Sequence, residues 1–254
     1  MNKFVKKIVA SALLMCLGFN FAACSSSSEL TVEKGVLTMA TNAAFPPYEY
    51  WENNAIVGID AEIAQEIANR LNLTLKIEDV SFDSLITGVQ SNKYDIAVAG
   101  MTVTDERKLS VSFSDSYATG IQSIIVTEDS PITDIDALID GDYIVGVQIA
   151  TTGDIYMSDD IGMDRVEQYN NGADATQALI TGKIDAVVID NQPALAFVAA
   201  NPGLKILETP YTIEDYAIAV NKNNEELLNQ INKALSEMKA DGTIDAIINK
   251  YIPA

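Results

Sequence analysis

The chain of 254 residues contains no histidine and only two cysteines, Cys16 and Cys24. Without histidine, Ser-His-Asp and Cys-His catalysis and histidine-based zinc sites are excluded. Because both cysteines lie near the N-terminus, a disulfide framework and a cysteine-rich metal site are excluded too. Basic residues are scarce, with 16 Lys and Arg against 36 Asp and Glu, and the formal charge of −20 disfavours nucleic acid as a partner. We therefore expect no metal and no cofactor.

The first 23 residues have the pattern of a secretory signal peptide. Three lysines precede an apolar run over residues 8–23, which is too short and too interrupted for a transmembrane helix. The following stretch, Phe21-Ala22-Ala23-Cys24, resembles a bacterial lipoprotein signal, in which the cysteine becomes the lipidated N-terminus. We predict a signal peptide over residues 1–23 and a lipid-anchored tether over residues 24–32. The alternative is plain cleavage before an unmodified thiol.

The rest of the chain alternates between strand-like and helix-like patterns. Residues 36–40 have the pattern of a strand. Apolar residues recur every four positions from Ile59 to Leu71, which predicts a helix, and Asp60 is the candidate for its cap. The same reading predicts a strand at 73–77, a helix at 82–90 and a strand at 94–98. Strands separated by helices favour parallel sheets with helices on both faces.

A short internal echo favours two α/β lobes over one long sheet. Residues 91–98 (SNKYDIAV) are echoed by residues 181–188 (TGKIDAVV), and both segments follow a predicted helix and enter a buried strand. Ligands of open α/β sheets bind at the carboxyl ends of the strands. Two lobes with these ends facing each other would therefore enclose a cleft. Two apolar stripes separated by Gly242 predict a pair of C-terminal helices.

Motifs along residues 33–254 resemble, in order, those of polar amino-acid solute-binding proteins of ABC importers, the bacterial extracellular solute-binding protein family 3. The motifs are ATNAAFPPYEY (40–50), GIDAEIA (58–64), AGMTVTDER (99–107), VSFSD (111–115), VGVQ (145–148), TTG (151–153), IDAV (184–187) and DGT (241–243). The resemblance implies an α/β fold of the periplasmic-binding-protein type II class. In this fold two lobes, each a mainly parallel sheet flanked by helices, are joined by two hinge crossings and close around a ligand.

The resemblance also implies the domain organisation and the function. The first lobe would be discontinuous, residues 33–118 plus 214–254, and the second lobe would be residues 119–213. The protein would be an extracytoplasmic, lipid-anchored monomer that delivers a free L-amino acid to an ABC permease and catalyses no reaction. Two alternatives use the same fold: an enzyme similar to cyclohexadienyl dehydratases, with Asp190 as general acid, and a ligand-sensing module.

A free amino acid carries a carboxylate and an ammonium, and burying either group without a partner is costly. Arg107 is the candidate for the carboxylate, because its guanidinium can bind both oxygens in a fork. Asp190, at the end of a predicted strand, is the candidate for the ammonium. The alternative for Arg107 is a surface position on a helix, and the alternative for Asp190 is a solvated position at the end of its strand.

The resemblance assigns further residues to the ligand site. They are Asn42, Phe45, Phe82, Ala99, Gly100, Thr102, Gln148, Thr151 and Thr152. Phe45 and Phe82 would sandwich the ligand side chain, with core packing as the alternative, and the threonines would donate to the ligand, with helix capping as the alternative. Asn42 and Gln148 both donate and accept hydrogen bonds, which favours a neutral polar side chain such as that of glutamine.

Overall fold

The computed structural model describes residues 30–207 and 211–253. The predicted signal peptide, the lipidation site Cys24 and most of the predicted tether lie outside these residues. Within them, no helix has both the length and the apolar character needed to cross a membrane.

The described residues form an alternating α/β chain. Its strands are β1 (Val36–Thr41), β2 (Ala44–Phe45), β3 (Glu49–Glu52), β4 (Ala55–Val57), β5 (Thr74–Asp79), β6 (Ile96–Ala97), β7 (Val111–Phe113), β8 (Ala118–Thr127), β9 (Val145–Gln148), β10 (Val166–Tyr169), β11 (Ala186–Asp190), β12 (Leu204–Ile206), β13 (Thr212–Tyr216) and β14 (Ala219–Asn221). Its helices are α1 (Ile59–Arg70), α2 (Leu85–Gln90), α3 (Asp105–Lys108), α4 (Ile135–Asp140), α5 (Thr152–Ile161), α6 (Gly172–Ile180), α7 (Asn191–Ala200), α8 (Glu225–Ala240) and α9 (Thr243–Tyr251).

Two mixed sheets make the two lobes. The first has the order β5-β1-β6-β14-β7, and the second has the order β10-β9-β11-β8-β12, with β13 also pairing to β8. Pairs among β1, β5 and β6 and among β9, β10 and β11 are parallel, whereas β14 and β8 run antiparallel to all their partners. The fold class is confirmed: within each of these two sheets one strand, β14 or β8, runs opposite to the others, so the sheets are mixed.

The direction of each strand follows from where the chain enters its sheet. Strands that alternate with helices all run toward the cleft, so they are parallel to one another. Strand β8 begins at the crossing from the first lobe, and β14 follows the return crossing, so both start at the cleft and run the opposite way. The crossings themselves, 118–122 and 212–216, pair along five residues as an antiparallel ribbon. The lobe boundaries at 118/119 and 213/214 fall in this ribbon and remain a prediction.

The predicted cap of α1 is wrong. Helix α1 begins after Gly58, and Asp60 lies inside its first turn, fully buried, where its carboxylate accepts the backbone N–H of Gly100 at 2.7 Å. No side-chain cap is needed because Ile59 N–H and Asp60 N–H donate to the carbonyls of Pro47 and Tyr48. The segment predicted as a helix over 82–90 opens with a short 3-10 turn, Phe82–Ser84, before α2.

Candidate functional site

A cavity between the lobes is lined by all eleven predicted ligand-site residues and by Glu49. The lining residues are Asn42, Phe45, Glu49, Phe82, Ala99, Gly100, Thr102, Arg107, Gln148, Thr151, Thr152 and Asp190. Most of them follow the carboxyl ends of β1, β6, β9 and β11, where α/β sheets bind ligands. The structure therefore brings the predicted residues together; their roles in binding remain a prediction.

Arg107 supplies the cavity with a buried cation. It lies on α3, which Thr104 caps, and is 6% exposed. Its guanidinium donates to the carbonyls of Thr102 at 2.8 Å and Ala150 at 2.9 Å, and it lies 5.4 Å from the ring of Phe82. Burial lowers the pKa of Arg107 from its ordinary value.

Arg107 has no carboxylate partner within 4 Å among residues 30–207 and 211–253. Its hydrogen bonds go to two neutral carbonyls, so in a largely desolvated place its charge is offset only at longer range, first by Glu214. A guanidinium carries five N–H donors, so donors remain for a further acceptor. The arrangement is suited to binding an anionic group from a ligand.

Asp190 supplies the cavity with a buried carboxyl group. It ends β11, is 7% exposed, and accepts hydrogen bonds from the hydroxyl of Tyr216 and from Nε2 of Gln122, the latter at 2.9 Å. Burial raises the pKa of Asp190 to about 7, and nearby Glu214 acts in the same direction. This aspartate is therefore not a solvated residue at a strand end. A cation placed beside it would favour its charged form.

Glu214 and Gln122 join Asp190 in a network that the sequence did not predict. Glu214, on β13, accepts from the hydroxyl of Thr102 at 3.1 Å, from Gln122 Nε2 at 3.0 Å and from the hydroxyl of Tyr156 at 2.9 Å. The sequence placed Glu214 only at a chain crossing. The one local signal is the alternation along β13, which puts Glu214 and Tyr216 on the same buried face.

The cavity is bridged by hydrogen bonds between the lobes. Gln148 Nε2 on the second lobe donates to Asn42 Oδ1 on the first at 2.9 Å, while Asn42 Nδ2 donates to the carbonyl of Val80 at 2.9 Å. The bond from Arg107 to Ala150 also joins the lobes. These contacts describe a closed arrangement, in which the predicted specificity pair Asn42 and Gln148 forms part of the closure.

The remaining predicted residues shape the wall of the cavity. Phe45 is buried with its ring centroid 5.9 Å from that of Tyr48, so it serves the core as well as the cavity. A Cβ on Gly100 would lie 2.8 Å from the Phe45 ring, and φ of Gly100 is +50°, so glycine is required there. Thr151 caps α5 by accepting from Asp154 N–H, so its capping alternative is realised in this structure.

Comparison with known proteins identifies the family. The family model described as "Bacterial extracellular solute-binding proteins, family 3" matches residues 37–254. The chain is 32% identical over 258 residues to the arginine-binding extracellular protein ArtP of Bacillus subtilis (strain 168), covering 99% of this chain and 98% of ArtP. It is also 32% identical over 200 residues to the ABC transporter glutamine-binding protein GlnH of the same organism, covering 78% and 73%.

Solved structures agree with the family match. The P235GK mutant of ArgBP from T. maritima has a TM-score of 0.82 and 42% identity, covering 87% of this chain and 96% of that one. The ancestral amino acid-binding protein AncCDT-1, a precursor of cyclohexadienyl dehydratase, has a TM-score of 0.79 and 32% identity, covering 85% and 95%. The chain belongs to the bacterial extracellular solute-binding proteins, family 3, as its motifs predicted. It is therefore an extracytoplasmic solute-binding protein with the two-lobe type II fold.

The raised pKa of Asp190 predicts that the ligand-free protein loses stability as the pH rises. A carboxyl that titrates near pH 7 when folded and near its ordinary value of about 4 when unfolded stabilises the fold fully below about pH 4, and this contribution is lost as the pH rises through about 7. We expect the melting temperature to fall between pH 5 and pH 8 in calorimetry, and Asp190→Asn to lessen the fall.

Glu49 and Asp60 also have raised pKa values, so Asp190→Asn is expected to reduce the pH dependence and not to abolish it. The exposed Asp159→Asn serves as the matched control and keeps the full dependence. An Asp190→Asn variant whose melting temperature falls as steeply as that of the wild type would contradict this account of Asp190.

Proposed function

We propose that the protein binds a free L-amino acid outside the cytoplasm and delivers it to an ABC import permease. One observation carries the proposal: the same cavity between two lobes is lined by a buried guanidinium that has no carboxylate partner within the described part of the chain and by a buried carboxyl with a raised pKa. An amino acid offers one group of each sign. Its carboxylate compensates Arg107, and its ammonium compensates Asp190. The names of ArtP and GlnH support this solute class.

The ligand carboxylate occupies the space beside Arg107, Thr102 and Thr152, and the ammonium lies at Asp190. The start of α5 adds backbone N–H groups directed toward an anion. The ligand side chain extends between Phe45 and Phe82 toward the amides of Asn42 and Gln148. These amides suit a neutral polar side chain such as that of glutamine, which is the ligand that we propose.

Ligand binding is coupled to closure of the two lobes. Arg107 and Thr102 come from the first lobe, whereas Thr152, Gln148 and Asp190 come from the second, so only the closed form contacts the ligand from both sides. A ligand that binds the closed form better shifts the population toward it. The closed, loaded monomer is the form that we propose docks on the permease.

Replacing Arg107 by alanine is expected to weaken binding of the amino acid that stabilises the protein most in a thermal-shift screen of all twenty. Leaving a buried charge unpaired costs roughly 3–5 kcal/mol, which corresponds to a dissociation constant higher by about 100- to 3,000-fold in calorimetry. Lys108→Ala, which removes an exposed cation from the same helix, is the control and keeps wild-type affinity. Near-normal affinity in Arg107→Ala would rule out this binding geometry.

The dehydratase alternative also draws on Asp190. A general acid needs a raised pKa, and the pKa of Asp190 is raised to about 7. AncCDT-1, however, is itself described as an amino acid-binding protein, and a ligand ammonium at Asp190 would lower that pKa again. We therefore propose that the protein catalyses no reaction.

An absorbance assay distinguishes binding from dehydration. Arogenate carries an ammonium that would hold Asp190 in its charged form, in which it cannot act as an acid, so arogenate is expected to remain unchanged when incubated with the purified protein. We expect the same of prephenate, which has no ammonium and tests the acid without this partner. Turnover that disappears in Asp190→Asn would establish that the protein is an enzyme and not a binding protein for transport.

We also propose that Cys24 carries a lipid that holds the protein on the membrane after removal of residues 1–23. In cells that express the full chain, Cys24→Ser is expected to move the protein from the membrane fraction to the soluble extracytoplasmic fraction. Cys16→Ser, which changes a cysteine inside the predicted signal peptide, is the matched control and leaves the protein on the membrane. A Cys24→Ser protein that stays with the membrane would refute the anchor.

A further inference from the structure

A pair of buried carboxyl groups at one wall of the cavity has no role in the binding scheme above. Glu49, the first residue of β3, lines the cavity and is only 1% exposed. Its carboxyl lies within hydrogen-bonding reach of Asp60 in the first turn of α1, which is fully buried. Asp60 Oδ2 accepts the N–H of Gly100, so this pair is connected to the loop that contributes Gly100 to the cavity.

A proton shared between the two carboxyl groups satisfies the oxygen that nothing else reaches. Glu49 Oε2 and Asp60 Oδ1 are both buried and accept no hydrogen bond of good geometry among residues 30–207 and 211–253, and the buried hydroxyl of Tyr117 lies beside Asp60 but not beside Glu49 Oε2. Buried polar oxygens are rarely left without a partner. When two carboxyl groups lie side by side in a desolvated place, one proton between them removes the repulsion and provides the missing donor.

The surroundings of Glu49 oppose the loss of this proton. The groups that face Glu49 are Asp60 on α1, Asp79 on β5, Asp190 on β11 and the phenols of Tyr48 and Tyr117. Burial, followed by Asp60, raises the pKa of Glu49 well above its ordinary value. Arg107 lines the same cavity but donates to the carbonyls of Thr102 and Ala150, so it does not pair with Glu49.

We propose that Glu49 responds to the charge of the ligand side chain, and that its shared proton lets one cavity accept both neutral polar and cationic amino acids. This inference rests on the proposed function, in which the ligand side chain extends into the cavity that Glu49 lines. With a neutral amide side chain the proton stays between Glu49 and Asp60, and the free oxygen of Glu49 accepts an N–H from the ligand. With a guanidinium side chain the proton leaves for solvent, and both carboxylates remain charged beside the cation.

The proton balance makes the proposal measurable. Arginine and citrulline have nearly the same shape, but arginine ends in a charged guanidinium and citrulline in a neutral urea. Both bring the same ammonium to Asp190, so protons released by Asp190 are common to the two ligands and cancel in the comparison. We expect arginine to release about one proton more than citrulline when calorimetry is performed in two buffers of different ionisation enthalpy.

The same linkage gives a dependence on pH. While the pair keeps its proton in the ligand-free protein, the affinity for arginine relative to citrulline rises about tenfold for each pH unit. Glu49→Gln places an amide N–H where the shared proton was, so it preserves the hydrogen bond to Asp60 without a proton that can leave. In this variant we expect citrulline affinity within about threefold of wild type, and no extra proton with arginine.

Glu52→Gln, on the exposed end of the same strand, is the matched control and keeps the wild-type proton difference. If Glu49→Gln binds citrulline, the variant is folded. If the variant does not fold, the difference in proton release between arginine and citrulline in the wild type tests the proposal by itself. Equal proton release by arginine and citrulline overturns the proposal, as does rejection of either class of amino acid at every pH from 5.5 to 8.5. A protein that binds no amino acid at all overturns the proposed function instead.

Discussion

The energetics of the cavity depend on one buried guanidinium among an excess of buried carboxyl groups. Arg107 is the only cation among the described residues that line the cavity, whereas Glu49 and Asp190 line it and Asp60 and Glu214 lie directly behind. Two backbone carbonyls orient the guanidinium but do not neutralise it. Desolvated charges without partners raise the free energy of the empty site. The ligand-free protein has already desolvated these groups. A zwitterion that places its carboxylate and its ammonium beside them removes that unfavourable free energy, and much of its affinity comes from this.

The two-lobe architecture makes this compensation depend on closure. The parallel strands of both sheets end at the cleft, and the chain crosses between the lobes through the paired ribbon of β8 and β13. Glu214 lies on this ribbon and accepts from Thr102 of the first lobe and Tyr156 of the second. The carboxyl network beside the cavity is thus attached to the segments that join the two sheets. We infer that the charge state of the cavity and the position of the lobes are coupled through these bonds.

Most of the site residues that could be predicted from the sequence lie in short continuous motifs. The segments at the carboxyl ends of β1, β6 and β9 each contain several site residues within a few positions, and β11 ends on Asp190, so short motifs place them around one cavity. Glu214 and Gln122 were missed because their partners are remote: Thr102 is 112 residues from Glu214, and Asp190 is 68 from Gln122. The predicted cap at Asp60 failed for a similar reason, since the carbonyls of Pro47 and Tyr48 satisfy the first turn of α1. A residue that is buried by segments distant in the sequence leaves no pattern in the residues around it.

The central claim is that Arg107, which forms no ion pair with the described residues, selects a carboxylate. It is tested most directly by comparing the amino acid that the protein binds best with its decarboxylated amine, in the wild type and in Arg107→Ala, by calorimetry. The account predicts that the amine binds the wild type at least about 100-fold more weakly, and that Arg107→Ala discriminates little between the two compounds. An amine that binds the wild type as tightly as the amino acid would contradict it.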